Sequence, residues 1–200
     1  STEATYSFVV SRERNLVANF VASSGPEPID YSQEYFTITS WEPNNTITFH
    51  RGIEYFEMYI SYDKINWTLF TSSSNTNSTV VLGVGEKAYF KATTYQLGTD
   101  DYGADCNFSA TKLFEASGNI MSLINGDDFV GATSFYPTND TYSYNFIGLF
   151  EDATTLLTIE NLVLPATQYN KWVYQSFARG CTSLIRAPKE LPAQTYQGQN

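Results

Sequence analysis

Histidine occurs once in the 200-residue chain, at position 50, and cysteine occurs twice, at positions 106 and 181. One histidine cannot build a His-based metal site, and the cysteines are too far apart for a common zinc spacing. We interpret Cys106 and Cys181 as free, buried thiols; a disulfide is the alternative in an oxidising compartment. No phosphate-binding or dinucleotide-binding glycine motif and no serine-nucleophile elbow is present. The sequence therefore favours a protein that is not an enzyme and uses no cofactor.

Long apolar runs and positive charge are also scarce. No stretch approaches the roughly 20 apolar residues that a membrane-spanning helix needs, so we expect no membrane insertion within this chain. Lys and Arg number 11 against 21 Asp and Glu, which gives a formal net charge of -10. Such a chain repels phosphate backbones, which argues against nucleic acid as a partner.

Carboxylates gather in one glycine-containing segment of the chain, at Asp100, Asp101 and Asp105. Ca²⁺ prefers carboxylate and carbonyl oxygens, so these residues are a candidate calcium site. They match no EF-hand or RTX spacing, and we favour a solvated acidic loop. Asp127 and Asp128 allow the same two interpretations.

Asparagine is common, and five Asn-x-Ser/Thr sequons occur in the chain. We expect them to be unmodified, because a chain rich in Asn, Ser and Thr contains several by chance. The five are Asn44, Asn66, Asn77, Asn107 and Asn139.

Alternating polar and apolar residues predict a mainly β protein. Residues 1–24 form two short alternating runs around a polar turn, which predicts a hairpin. Residues 25–34 contain Gly25, Pro26 and Pro28 and are predicted to be a linker. Residues 35–117 contain eight short runs separated by turns, which predicts an immunoglobulin-like β-sandwich. In one of these runs, Phe56, Met58 and Ile60 share a face.

The last segment, residues 118–200, repeats itself. Identical residues lie 27 apart: Phe150 and Phe177, Thr155 and Thr182, Leu157 and Leu184, Tyr169 and Tyr196, and the Leu-Pro-Ala of 164–166 and 191–193. This period predicts a solenoid with short helices.

In this solenoid we expect Phe150 and Phe177, with Leu157 and Leu184, to be the buried rungs. Residues 172–178 are predicted to form a short outer helix with Val173 facing inward. The repeat is unfinished at the last residue, so we expect the chain to be part of a longer array.

The sequence FARGCTSL at residues 177–184, followed by AP at 187–188 and LPAQT at 191–195, resembles the BspA-type leucine-rich repeats of surface proteins in gut bacteria. Residues 117–129 resemble the segment that precedes those repeats. Two weaker similarities lie upstream. ATYSFVV at 4–10 and RNLVANF at 14–20 resemble the end of an internalin-type B repeat module. SYDKINW at 61–67 is similar to the Asp box of sialidases, in which the Asp side chain holds a turn and the Trp packs beneath it.

These resemblances imply a non-catalytic adhesion or binding segment on a bacterial cell surface, outside the cell. Its partner would be a protein or a glycan of a host or bacterial surface. Two alternatives are a structural or receptor-binding protein of a phage virion and a carbohydrate-binding accessory protein. Exposed aromatic side chains stack on sugars and anchor protein partners. The candidate binding residues, which core packing would explain equally well, are Tyr169, Trp172, Tyr174 and Tyr196.

Overall fold

The computed structural model describes residues 28–50, 56–71, 77–94, 97, 106–134, 145–165 and 173–191. The predicted N-terminal hairpin at residues 1–24 and the start of the predicted linker lie outside these ranges. The described chain is mainly β, as predicted. All eight strands expected within residues 35–117 are present, and the face shared by Phe56, Met58 and Ile60 is buried.

The structure contains ten strands and one short α-helix. The strands are β1 (Phe36–Ser40), β2 (Asn45–His50), β3 (Met58–Ser61), β4 (Thr68–Leu69), β5 (Ser78–Leu82), β6 (Lys87–Ala92), β7 (Asn107–Ala110), β8 (Phe114–Asn119), β9 (Leu156–Thr158) and β10 (Leu162–Val163). The helix α1 spans Ser122–Asn125, and single 3₁₀ turns occupy Tyr31–Gln33 and Gly126–Phe129.

Two sheets enclose one apolar core. The larger sheet has the order β10-β8-β1-β6-β3-β4, with β9 also paired to β8, and the smaller has the order β5-β2-β7. Aromatic side chains join the two inner faces: the ring of Phe108 lies 5.3 Å from that of Phe36 and 5.2 Å from that of Phe90. Burying such a side chain stabilises the fold by roughly 1.5–3 kcal/mol, so this contact holds the sheets together.

Part of the predicted linker belongs to the larger sheet. The Asn119 N–H donates to the Glu34 carbonyl at 2.7 Å, and the Asn119 side chain donates to the Ser32 carbonyl at 3.0 Å. Gly118 allows this close approach, because a Cβ on it would lie 2.0 Å from the Tyr35 carbonyl oxygen. Residues 31–34 are therefore anchored to β8.

Strand β8 crosses the predicted boundary between the sandwich and the repeat region. Its first strand neighbour is β1, with which it pairs antiparallel; on its other side it pairs in parallel with β9 and β10. The Phe150 ring lies 6.1 Å from that of Phe36, so the apolar core also continues across the boundary. The repeat region thus begins as an extension of the sandwich.

Residues 145–165 (the first coil) and residues 173–191 (the second coil) lie side by side. Four backbone N–H groups of the first coil donate to carbonyls of the second at 2.7–3.0 Å. The donor and acceptor pairs are Phe146 and Val173, Gly148 and Gln175, Phe150 and Phe177, and Asp152 and Arg179.

The two coils repeat the same backbone conformation at a spacing of 28 residues. The Leu149 N–H donates to the Phe146 carbonyl, and the Phe177 N–H donates to the Tyr174 carbonyl, 28 residues further on. Positive φ angles occur at Gly148 and Ser176, and again at Asp152 and Gly180. An isolated parallel bridge joins Thr158 to Arg186. Conformationally equivalent residues of the two coils are therefore 28 apart.

The predicted spacing of 27 is thus wrong by one residue over this region, and so is the pairing of Leu157 with Leu184. Leu156 is the residue equivalent to Leu184; it is completely buried, whereas Leu157 is only half-buried. Successive strand residues point to opposite faces, so a one-residue slip exchanges the buried side chain for its neighbour. Phe150 is buried as predicted, and Phe177 is half-buried.

The short helix expected at residues 172–178 is absent from its described part, residues 173–178. This stretch forms consecutive hydrogen-bonded turns instead. Ser176 has a φ of 53°, a left-handed conformation that interrupts an α-helix. Val173 is nevertheless buried, as predicted.

Gly118→Ala is expected to unfold the protein or to lower its free energy of unfolding by more than about 3 kcal/mol. The new methyl group would collide with the Tyr35 backbone, and φ is +82° at this glycine. Gly85→Ala is the matched control, because Gly85 has a φ of +73° but nothing within 4 Å of its added Cβ. Urea unfolding of both variants measures the difference; equal losses would contradict the packing at Gly118.

Leu156→Ala is expected to cost about 2–5 kcal/mol, as for other completely buried leucines, and Leu157→Ala less than about 1.5 kcal/mol. Thermal and urea unfolding of the two variants test which leucine faces the core. A larger loss for Leu157→Ala would restore the spacing of 27 residues that the sequence identities favour.

Candidate functional site

Tyr174 is the one predicted binding residue within the described ranges. Its ring stacks on that of Phe146, with centroids 5.8 Å apart and planes 11° apart, and packs edge-on against Phe177 at 5.6 Å. Tyr174 therefore packs between the two coils, in agreement with the packing alternative. Tyr169, Trp172 and Tyr196 lie outside the described residues, and their binding role stays a prediction.

The predicted calcium ligands Asp100, Asp101 and Asp105 also lie outside the described residues. Within the described ranges, no group of three or more His, Cys, Asp or Glu side chains is placed to hold a metal ion. The same part of the chain contains no helix long and apolar enough to span a membrane.

Asp63 holds the turn between β3 and β4, as its sequence context predicts. Its Oδ1 accepts hydrogen bonds from the backbone N–H groups of Ile65 and Asn66 at 2.9 and 2.8 Å, and its Oδ2 accepts one from the Asn66 side chain. These bonds stabilise the ionised carboxylate and hold its pKa well below the usual value. The side chain is committed to turn formation.

Trp67, which follows this turn, belongs to a closed cluster of aromatic and charged side chains. The Lys91 ammonium lies 4.4 Å above its ring, and the Tyr35 ring lies 4.8 Å away. Lys91 also pairs with both oxygens of Asp127 at 2.7 and 2.8 Å, and the Tyr35 hydroxyl donates to Asp127 at 2.7 Å. These groups satisfy one another, so the cluster joins β1 and β6 to the 126–129 turn.

The two thiols are free, as predicted. Cys106 is buried, whereas Cys181 is half-buried and its Sγ donates to the Phe150 carbonyl at 2.9 Å. Burial raises the pKa of the Cys181 thiol, which keeps it protonated and poorly nucleophilic. Cys181 thus contributes a contact between the coils.

His50 shares a hydrogen bond of 2.7 Å with the Ser109 hydroxyl across β2 and β7. Burial lowers the pKa of the imidazole, so the ring is neutral near pH 7. This contact joins two strands of the smaller sheet.

Trp41 presents a different environment, and the sequence analysis did not single it out. Its side chain is 52% exposed at the end of β1. The indole N–H donates to Glu115 Oε2 at 3.2 Å, and the backbone N–H donates to the Leu113 carbonyl at 3.0 Å. The usable signal was a tryptophan placed directly between a strand and the turn at Pro43, where it cannot enter the core.

The end of the sandwich that carries Trp41 is held by further hydrogen bonds. The buried Asn45 side chain donates to the carbonyls of Lys112 and Leu113, both at 3.1 Å. The Gly85 N–H donates to the Ser40 carbonyl at 2.8 Å, which attaches the β5–β6 turn to the same end. Trp41 therefore projects from a well-braced surface.

The outer edge of the second coil is the other exposed feature. The backbone N–H groups of Ser176, Ala178 and Gly180 correspond to those of Gly148, Phe150 and Asp152, which bond the second coil. None of these three outer groups has a hydrogen-bond partner among the described residues. The edge is therefore able to pair with another extended segment.

Tyr35 is expected to ionise near pH 12 rather than near 10, because burial and its hydrogen bond to Asp127 raise the pKa to about 12. A folded-state pKa above the unfolded value contributes stability that is complete below pH 10 and is lost as the pH rises through 12. The tyrosinate absorbance of wild type minus Tyr35→Phe measures this pKa.

Asp127→Ala should return the pKa of Tyr35 towards 10, whereas Asp128→Ala, at the exposed neighbouring position, should leave it unchanged. A Tyr35 that titrates near 10 in the wild type would contradict the hydrogen bond to Asp127.

Comparison of the chain with protein-family models, with curated proteins and with solved structures found no match.

Proposed function

We propose that the chain is a non-catalytic, extracellular binding segment of a bacterial surface protein. In this proposal, an immunoglobulin-like sandwich carries the first coils of a leucine-rich-repeat-type solenoid. The observation that carries it is the side-by-side stacking of the two coils, joined by backbone hydrogen bonds, on the edge strand β8. Solenoids stack in this way and present long surfaces whose side chains vary freely, which suits recognition.

The residues of the repeat motif make the contacts between the coils, which supports the resemblance. A Cβ on Gly180 would lie 2.0 Å from the Asp152 Oδ1 atom, so this position requires glycine. Cys181 bonds the Phe150 carbonyl, and Leu184 packs against the core. Residues of the motif are thus explained by stacking, and the positions between them are left available for binding.

The charge of the chain supports a partner of a particular kind. A net charge of -10 favours neutral or basic surfaces and disfavours nucleic acid or sulfated polymers. Protein or neutral glycan on a host or bacterial surface fits this balance.

Adhesion of chain-coated beads tests the proposal. We expect beads carrying the chain to bind mucin, epithelial cells or bacterial cells more than uncoated beads do. Gly180→Ala should weaken this adhesion if the coils form the binding surface, because it disturbs their stacking at Asp152. Gly131→Ala is the matched control, since Gly131 has a φ of +76° and nothing within 4 Å of an added Cβ.

Adhesion no greater than that of uncoated beads on all three surfaces would contradict the proposal. Recovery of the protein from purified phage particles, rather than from the cell-surface fraction, would contradict the cell-surface location.

A further inference from the structure

We propose that Trp41, Thr39 and Glu115, here called the Trp41 platform, bind the ring of a neutral sugar. The inference rests on the proposed binding function but concerns the sandwich instead of the coils. It assigns a ligand class to a surface that the repeat motif does not involve.

The three side chains lie on the outer face of the larger sheet. Phe36 and Ile38 of β1 point into the core. Side chains alternate along a strand, so Thr39 and Trp41 point to the opposite face. Glu115 is the cross-strand partner of Thr39 in β8 and shares that face. An aromatic ring, a hydroxyl and a carboxylate are thereby brought together.

The Trp41 ring is fixed in position and open to solvent. Its indole N–H is bonded to Glu115, and its backbone is bonded to Leu113. Unlike Trp67, whose ring is covered by Lys91, it has no aromatic or cationic partner among the described residues. A flat apolar ring of this kind packs against the C–H face of a sugar at low entropic cost, because it is already held in place.

Glu115 offers a hydrogen-bond acceptor beside that ring. Its Oε2 accepts the indole N–H at 3.2 Å, while its Oε1 has no hydrogen-bond partner among the described residues. Sugar hydroxyls are donors that need such acceptors, and a bond to an ionised carboxylate is stronger than one to a neutral group.

Thr39 provides a second, independent indication of a ligand. Its side chain is only 8% exposed, and its hydroxyl has no partner within the described part of the chain. A buried polar group left unpaired in a folded protein commonly marks the position of a bound water or ligand. The hydroxyl lies beside Glu115, where a sugar hydroxyl or the water it carries would satisfy it.

The size and charge of the platform favour a sugar over a protein. The exposed large apolar side chains at this end are Trp41 and Val84, and the carboxylates of Glu42, Glu86 and Glu115 lie on the same end. A stable protein interface buries about 800 Å² on each partner around an apolar centre. One indole ring beside carboxylates instead matches one sugar ring, and the carboxylates repel sulfated or sialylated sugars.

Calorimetric titration of the whole chain with the methyl glycosides of glucose, galactose, mannose and N-acetylglucosamine tests the proposal. We expect at least one neutral glycoside to bind and a sulfated glycoside not to bind. Trp41→Ala should weaken the affinity about tenfold or more. Glu115→Gln should also weaken it. Ile65→Ala is the matched control, because Ile65 is an apolar side chain that is 80% exposed on the β3–β4 turn.

Thr39→Val separates a binding role from a structural one. Removing an unpaired buried hydroxyl should leave the melting temperature unchanged or raise it, while the affinity for the sugar falls. Affinity and melting temperature falling together would point to a packing role and would remove Thr39 from the site.

The sugar assignment is overturned if no neutral glycoside binds the wild type, or if Trp41→Ala binds as tightly as Ile65→Ala does. It is also overturned if Trp41→Ala abolishes adhesion to a protein-coated surface while no glycoside binds. Bead adhesion that survives without sugar binding removes this inference alone. Sugar binding without bead adhesion removes the proposed function alone.

Discussion

The pairing of β8 on both of its edges is the constraint on which the rest of the structure depends. On one side β8 pairs with β1 of the sandwich, and on the other it pairs with β9 and β10 of the first coil. An unpaired edge strand is a site of uncontrolled association, so the coil protects the sandwich and the sandwich provides the template for the coil. Gly118 makes this possible, because only a residue without a Cβ allows the backbone at Tyr35 to approach so closely.

The same pairing sets the direction in which the repeat region grows. The first coil donates its outward N–H groups to the second, which in turn presents Ser176, Ala178 and Gly180 at its own edge. The Trp41 platform lies on the outer face of the same sheet and takes no part in this stacking. Stacking and ligand binding therefore use separate surfaces, and each is open to mutation without loss of the other.

Much of the strand order along the chain could be predicted from the sequence, because half-buried strands alternate polar and apolar residues. Phe56, Met58 and Ile60 are an example, since all three are buried as expected. Asp63 was also predictable, because a carboxylate two residues before a backbone N–H forms a local turn wherever the chain lies. The repeat was detected as well, but its spacing was not. Identity at Leu157 and Leu184 gave 27, whereas the backbone conformation repeats at 28.

The candidate site shows where prediction from the sequence ends. The sequence by itself determined the mainly β character, the free thiols, the acidic surface and the existence of a repeat, all of which follow from composition and local spacing. Only the tertiary structure decided which leucine is buried and which tryptophan is open to solvent. Trp41 and Trp67 both lie beside turns, yet Trp67 is covered by Lys91 of another strand and Trp41 is not. That difference depends on contacts between residues distant in the sequence, which no local pattern encodes.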